Sequence, residues 1–279
     1  VTLHNETAVI FKYPYFPDES IDYRVLNVSY DYGSIMHSPS KIGFEKNFRF
    51  LSANKRNLSY YYEKMMGQYY KVTFTDWKII NKFYCNDFCK KNTITCKNDG
   101  YPHPRNCTSC ICPDGFIGDN CKQISNKVIV YEATEKQKSL FHEGKNNVTF
   151  RIKAQNNHII LLSVIEMETK DQIPCYYGSG QNDHIILLSV IEMETKDQIP
   201  CYYGSGIEIK HLKYKGVTGL CLCGFNRDIE IVTDGNEALI RYVGRSRSDF
   251  FYLEYIAIDC SQYGTTKPQQ SKRKKKKTN

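Results

Sequence analysis

Metal-assisted hydrolysis of a peptide bond needs histidines in register. Two His one helical turn apart face the same ion, and a Glu between them acts as general base. The 279-residue chain has seven histidines, His4, His37, His103, His142, His158, His184 and His211, and none has another three or four residues away. This spacing offers no zinc-binding helix, so no metal is expected to be bound by the chain itself. Cysteine is the other residue type that could hold metal or do chemistry. There are twelve, seven of them between Cys85 and Cys121. Such density, without paired zinc-finger histidines, reads as a disulfide scaffold from an oxidising compartment. A zinc knot is the alternative, with a local pretext in Cys107-x-x-Cys110 and Cys110-x-Cys112. It lacks the two well-separated C-x-x-C pairs that such a site uses.

Three regions and a tail would position these residues. Val1 to Tyr84 is rich in Tyr, Phe and Asn, contains no cysteine and ends in a helix signal. Thr73 can cap that helix and Asp76, three residues on, completes a capping-box-like pair. Trp77, Ile80 and Tyr84 recur at spacings of three and four, which predicts one apolar, core-packing face. Cys85 to Cys121 has too little apolar content for a core, so disulfides must hold it. From about Lys122 to Cys260, β-branched and aromatic residues alternate with turn residues, as in Val148-Thr-Phe-Arg-Ile, Ile207-Glu-Ile-Lys and Ala238-Leu-Ile-Arg-Tyr-Val. Short strands at this spacing predict an all-β sandwich.

Gln155 to Gly180 is repeated at Gln181 to Gly206, with only Asn157 and Asp183 different. Two copies do not make a solenoid, which needs at least three to bury its faces. A sandwich has one slot for this strand, so the second copy must pair at an edge, displace the first or hang out as an insertion. Such identity reads as a recent duplication or a gene-model error. With one copy removed, Ile124 to Cys260 is about 110 residues, an ordinary sandwich size.

The net charge of +8 is concentrated in the tail. Lys267 to Lys277 holds seven Lys/Arg and no acid, which leaves the body nearly neutral. A body that bound nucleic acid would carry its own basic stripe, and none is seen. The tail, residues 262–279, is polar and expected to be disordered. Its run Lys272, Arg273, Lys274, Lys275, Lys276, Lys277 is suited to sulfated glycans, a simply solvated tail being the plainer reading. No apolar run nears the ~20 residues that span a membrane. The chain begins at Val1 without a basic segment followed by an apolar one, so a processed chain or a fragment is expected. Sequons at Asn5, Asn27, Asn57, Asn106 and Asn147 are glycosylation candidates and fit a secreted protein.

Tyr30-Asp-Tyr-Gly-Ser-Ile-Met-His37 resembles the Met-turn of the astacin metalloproteases, a branch of the metzincins. Met66-Gly-Gln68 followed by Val72-Thr-Phe-Thr-Asp76 resembles the family's Ile-Gly-Gln…Leu-Ser-x-x-Asp, and Ile80-Asn-Lys-Phe-Tyr-Cys85 resembles its closing Ile-Asn-x-x-Tyr-Cys. The match covers Val1 to Cys85. The stretch beyond Cys85 is similar to nematode members of that family. Cys89, Cys96, Cys107, Cys110, Cys112 and Cys121, with Pro113-Asp-Gly-Phe-Ile-Gly118, resemble an EGF-like module. The region after it looks, more loosely, like a CUB domain, with Cys223-Gly224 at its late cysteine. The CUB calcium pattern is not evident around Tyr202, so no calcium is expected.

The resemblance implies a multidomain fold. Residues 1–84 would be the C-terminal part of an α+β metzincin catalytic domain and residues 85–121 a small EGF-like module. Residues 122–261 would be an all-β CUB-like sandwich with the duplication, and residues 262–279 a disordered basic tail. It implies the pairings Cys89–Cys107, Cys96–Cys110 and Cys112–Cys121, and it leaves Cys85 without its partner. Met36 would be the apolar floor under the zinc, and Ser38 stands where the family has a zinc-proximal Tyr. The implied function is that of a secreted, extracellular zinc endopeptidase acting on protein substrates, with the two modules docking substrate or matrix. Zinc would belong to the complete enzyme. The chain itself lacks the His-Glu-x-x-His segment and is expected to be an inactive fragment. Without the upper half of its domain, the first region should expose Trp77 and Ile80 and fold poorly alone. The alternative is a non-catalytic extracellular EGF–CUB binding protein derived from an astacin.

Overall fold

The computed structural model describes residues 28–41, 51–85, 88–89, 94–154 and 184–259. The first copy of the repeat, Asn5, Asn27 and the basic tail lie outside the described residues.

Two helices fall in the first region. Helix α1 (Ser59–Glu63) follows a 3-10 turn at Arg56–Leu58. Helix α2 (Phe74–Tyr84) starts with a full capping box. The Thr73 hydroxyl accepts from the Asp76 amide at 3.1 Å, and the Asp76 carboxylate accepts from the Thr73 amide at 2.9 Å. Two of the otherwise orphaned N–H groups at the helix start are thereby satisfied.

The apolar face of α2 does not enter a core. Trp77, Ile80 and Tyr84 are exposed, at 52%, 43% and 78%, while Thr75 and Asp76 are buried. The first turn makes the contacts that orient this helix. Thr75 Oγ1 donates to the Gly216 carbonyl at 3.2 Å, Lys78 Nζ donates to the Asp99 carbonyl at 2.9 Å, and Phe74 lies against Tyr101. Periodicity marks the face that would favour burial; it cannot supply the surface to bury it against.

The cysteine-rich region is built from two small hairpins. Strand β1 (Tyr101–His103) pairs with β2 (Asn106–Ile111), and β3 (Phe116–Ile117) pairs with β4 (Gln123–Ile124). Disulfides Cys89–Cys107, Cys96–Cys110 and Cys112–Cys121 staple it. Loops this short each contribute about 3 kcal/mol by restricting the unfolded chain. Phe116 and Cys121 pack on Leu239, which seats the module on the sandwich.

The sandwich consists of β5 (Val128–Ala133), β6 (Lys138–Glu143), β7 (Asn147–Ala154), β8 (His184–Glu194), β9 (Gly206–Lys210), β10 (Leu220–Leu222), β11 (Asn226–Val232), β12 (Glu237–Val243) and β13 (Phe250–Asp259). One sheet has the order β10-β9-β12-β7-β5, antiparallel except for the parallel pair β5 and β7. The other has the order β11-β8-β13-β6 and is antiparallel throughout. Phe150, Ile152 and Ala154 of β7 are buried and the residues between them are not. That is the alternation of a strand with one face on a core. Ile186, Leu188, Val190 and Met193 of β8 face the same core, with Phe251 and Leu253 of β13.

The second copy of the repeat therefore takes an interior slot, with β8 between β11 and β13. Its last residue, Gly206, has φ +68°, and a Cβ there would come within 2.1 Å of the Leu222 carbonyl oxygen, so only glycine fits. Cys201 of the same copy is bonded to Cys223. Strand β9 is buried along its whole length. Phe116 and Cys121 of the cysteine-rich module pack on Leu239 of the same sheet, and Met65 of the first region lies against Cys221 of β10.

Candidate functional site

The segment Tyr30–Ser38 carries the residues singled out for chemistry, and three side chains from elsewhere hold it. Asp31 is buried. Its Oδ1 accepts from the Gly33 amide at 2.9 Å, and its Oδ2 accepts from the Thr218 hydroxyl at 3.0 Å. Asp76, at the start of α2, accepts from the Ser34 hydroxyl at 2.6 Å and the Ile35 amide at 3.1 Å. Gln68, 1% exposed, donates from Nε2 to the Gly33 carbonyl at 2.8 Å and to the Lys71 carbonyl at 2.6 Å. Its Oε1 accepts from the Tyr70 and Lys71 amides. Within the segment, Asp31 and Ser34 carbonyls accept from the Ser34 and His37 amides, making two successive turns.

Burial sets the electrostatics. It pushes the Asp31 carboxyl up; the Gly33 amide opposes this and the nearby Asp76 charge adds to it. Tyr30 is pushed up to about 12, chiefly by burial and then by Tyr32 and Asp31. His37 is pushed down by burial, partly offset by its bond to the Ser38 carbonyl. Both its ring nitrogens are engaged. Nδ1 donates to the Ser38 carbonyl at 2.7 Å, which leaves Nε2 to accept from the Tyr30 hydroxyl.

This arrangement can hold a loop in shape but does not fit a metal. Among the described residues, no group of three His, Cys, Asp or Glu side chains is placed to hold an ion. His37 has no nitrogen free, and Met36 points to solvent with 85% exposure. Ser38 is half-buried beside His37. Cys85 carries no disulfide, and neither does the buried Cys221. Asn57, Asn106 and Asn147 are exposed. In the Asn106 sequon the Thr108 hydroxyl donates to the Asn106 carboxamide oxygen at 2.8 Å.

A residue that the sequence reading missed lies at the far side of the site. His211 is fully buried with Tyr62. Its Nδ1 donates to the Val232 carbonyl at 3.0 Å, and its Nε2 accepts from the Tyr62 hydroxyl at 2.9 Å. The only signal for it was a histidine following the strand Ile207-Glu-Ile-Lys, which does not name a partner 149 residues away.

Residues 13–85, which include this turn and helix α2, match the model of the Astacin peptidase family. Zinc metalloproteinase nas-30 of Caenorhabditis elegans is 27% identical over 221 residues, which cover 77% of this chain and 26% of that protein. Zinc metalloproteinase dpy-31 of Brugia malayi is 40% identical over 99 residues, 35% of this chain and 16% of that protein. The chain thus spans about a quarter or less of the length of these relatives. Among solved structures, the CUB1-EGF-CUB2 domain of human MASP-1/3 aligns with a TM-score of 0.31 at 14% identity, covering 61% of this chain and 57% of that one. The class of protein that the turn and helix α2 resemble is the astacin-type peptidase. Residues 13–85 are thus similar to the astacin family, and nematode zinc metalloproteinases are similar to the chain over the stretches given.

Proposed function

We propose that this chain serves a secreted zinc metalloendopeptidase that cleaves protein substrates outside the cell. In this reading residues 1–84 supply the turn and closing helix of the catalytic domain. Residues 85–121 are an EGF-like module, residues 122–261 a CUB-like sandwich that docks substrate or matrix, and residues 262–279 a basic tail for sulfated glycans. The observation that carries it is the placing of the astacin-matching motifs. The turn at Ser34 and Ile35 is bonded to Asp76 of the closing helix, as a rigid floor under a reacting centre would require. Three disulfides and exposed sequons support an oxidising, extracellular setting.

When bound, the zinc of such an enzyme supplies the activated water. Among the described residues no three side chains are placed to hold it, and the seven histidines lack the spacing of the family's zinc helix. The chain's own residues hold the turn: Gln68 and Asp76 fix its backbone, and Met36 is left free to meet whatever lies above. A non-catalytic binding protein is the second reading, favoured by Ser38 in place of the family's tyrosine.

The test is a fusion carrying an added segment with His-Glu-x-x-His-x-x-Gly-x-x-His ahead of Val1. It should bind about one zinc by elemental analysis, and Ser38→Tyr in it should raise turnover of a generic protein substrate. A folded fusion that binds no zinc would move the reading to the non-catalytic alternative.

A further inference from the structure

The loop from His211 to Gly219 joins β9 to β10, and it makes contacts with the first region, the cysteine-rich module and the rest of the sandwich. Thr218, 5% exposed, donates through its hydroxyl to Asp31, itself 6% exposed. The Gly216 carbonyl accepts from Thr75 of α2, and the Gly216 amide donates to Asp99 of the cysteine-rich module at 3.0 Å. His211 accepts from Tyr62 of α1, and the Met65 sulfur lies 3.3 Å from the Cys221 amide. The surfaces are in direct contact. A Cβ added at Gly33 would come within 2.7 Å of Thr218 Cγ2, and one added at Gly216 within 2.8 Å of Asp99 Cβ. Tyr62, Met65 and Met66 belong to the same buried cluster as the sandwich core.

Modules joined as beads keep their polar groups for water. Here buried polar groups from three regions satisfy one another, and each would be costly to leave unpaired. We infer that Thr218 positions the turn Asp31–His37, and that the sandwich is a structural part of the peptidase unit, not a tethered docking module. Thr218 reaches the turn only through Asp31 and is a positioning residue. The inference rests on the proposed peptidase function for what the turn serves, and on the contacts alone for how it is held.

The test uses the full 279-residue chain and reads amide hydrogen exchange. Thr218→Val keeps the shape and removes the donor. Losing a buried hydrogen bond of about 1.4 kcal/mol corresponds to about tenfold faster opening. Exchange across residues 28–41 should rise about tenfold in Thr218→Val and return close to wild type in Thr218→Ser. Amides of β7 and β12 should keep their rates. Unchanged exchange across 28–41 would overturn the inference. If Thr218→Val loosens the sandwich as well, a size swap decides. Gly33→Ala alone should loosen the turn, and adding Thr218→Ser, which removes Cγ2 at 2.7 Å but leaves Cβ at 2.9 Å and Oγ1 at 3.0 Å, should restore part of the protection. No recovery overturns the inference. Neither arm depends on zinc, so a zinc-free fusion would remove the peptidase reading and leave the brace standing.

Discussion

His211 shows how one residue ties two regions together and makes their union sensitive to acid. Its Nδ1 hydrogen goes to Val232 and its Nε2 lone pair takes the Tyr62 hydroxyl hydrogen, so the neutral ring is the one that fits. Burial pushes it down to about 4, only partly offset by the Val232 carbonyl and Asp234. The unfolded chain takes up this proton near 6.5. Between pH 6.5 and 4 the unfolded state therefore binds more protons, and stability falls as the medium is acidified, by about 3 kcal/mol in all. Asp31 works in the opposite sense, because burial raises its carboxyl and favours the folded state in acid. Comparison with His211→Gln cancels that contribution. Urea unfolding of His211→Gln should lose about 3 kcal/mol less than wild type between pH 6.5 and 4. Equal losses in the two proteins would sink this account of the pair.

Among the elements, β8 carries the clearest expectation. It comes from the second repeat copy and fills the slot between β11 and β13. Removing Gln155–Gly180 or Gln181–Gly206 leaves sequences that differ only in Asn157 against Asp183. Both shortened chains should fill the slot equally and match the full chain within about 0.5 kcal/mol, or exceed it. A clear drop in unfolding free energy on removing residues 155–180 would show that the first copy is built into the fold. The strands of the sandwich were legible in the sequence because period two survives wherever one face is buried, as in Val148-Thr-Phe-Arg-Ile. The start of α2 was legible too, because Thr73 and Asp76 are local partners. Periodicity alone gave its aromatic face as core-packing, while the expectation that Trp77 and Ile80 are exposed came from the resemblance and agrees with their 52% and 43% exposure. Cysteine density said that the module must be stapled, while composition alone did not say which cysteines pair.

At the scale of the whole molecule, the packing of the first region on the sandwich had no sequence signature. Tyr62 and His211, or Asp31 and Thr218, are polar pairs more than 140 residues apart. No local pattern announces such a contact. The order of three short motifs was enough to reach the resemblance, because each is local in sequence. The consequence is a turn resembling that of the astacin family, packed onto the sandwich, with the loop that holds it bonded to the cysteine-rich module. A catalytic zinc needs three protein ligands and an open position, and among the described residues no such group is placed. The most direct measurement is zinc content by elemental analysis of the purified 279-residue chain, alongside cleavage of a generic protein substrate with and without chelator. The account predicts no stoichiometric zinc and no chelator-sensitive cleavage from a folded chain. About one zinc per chain, with proteolysis that the chelator abolishes, would contradict it.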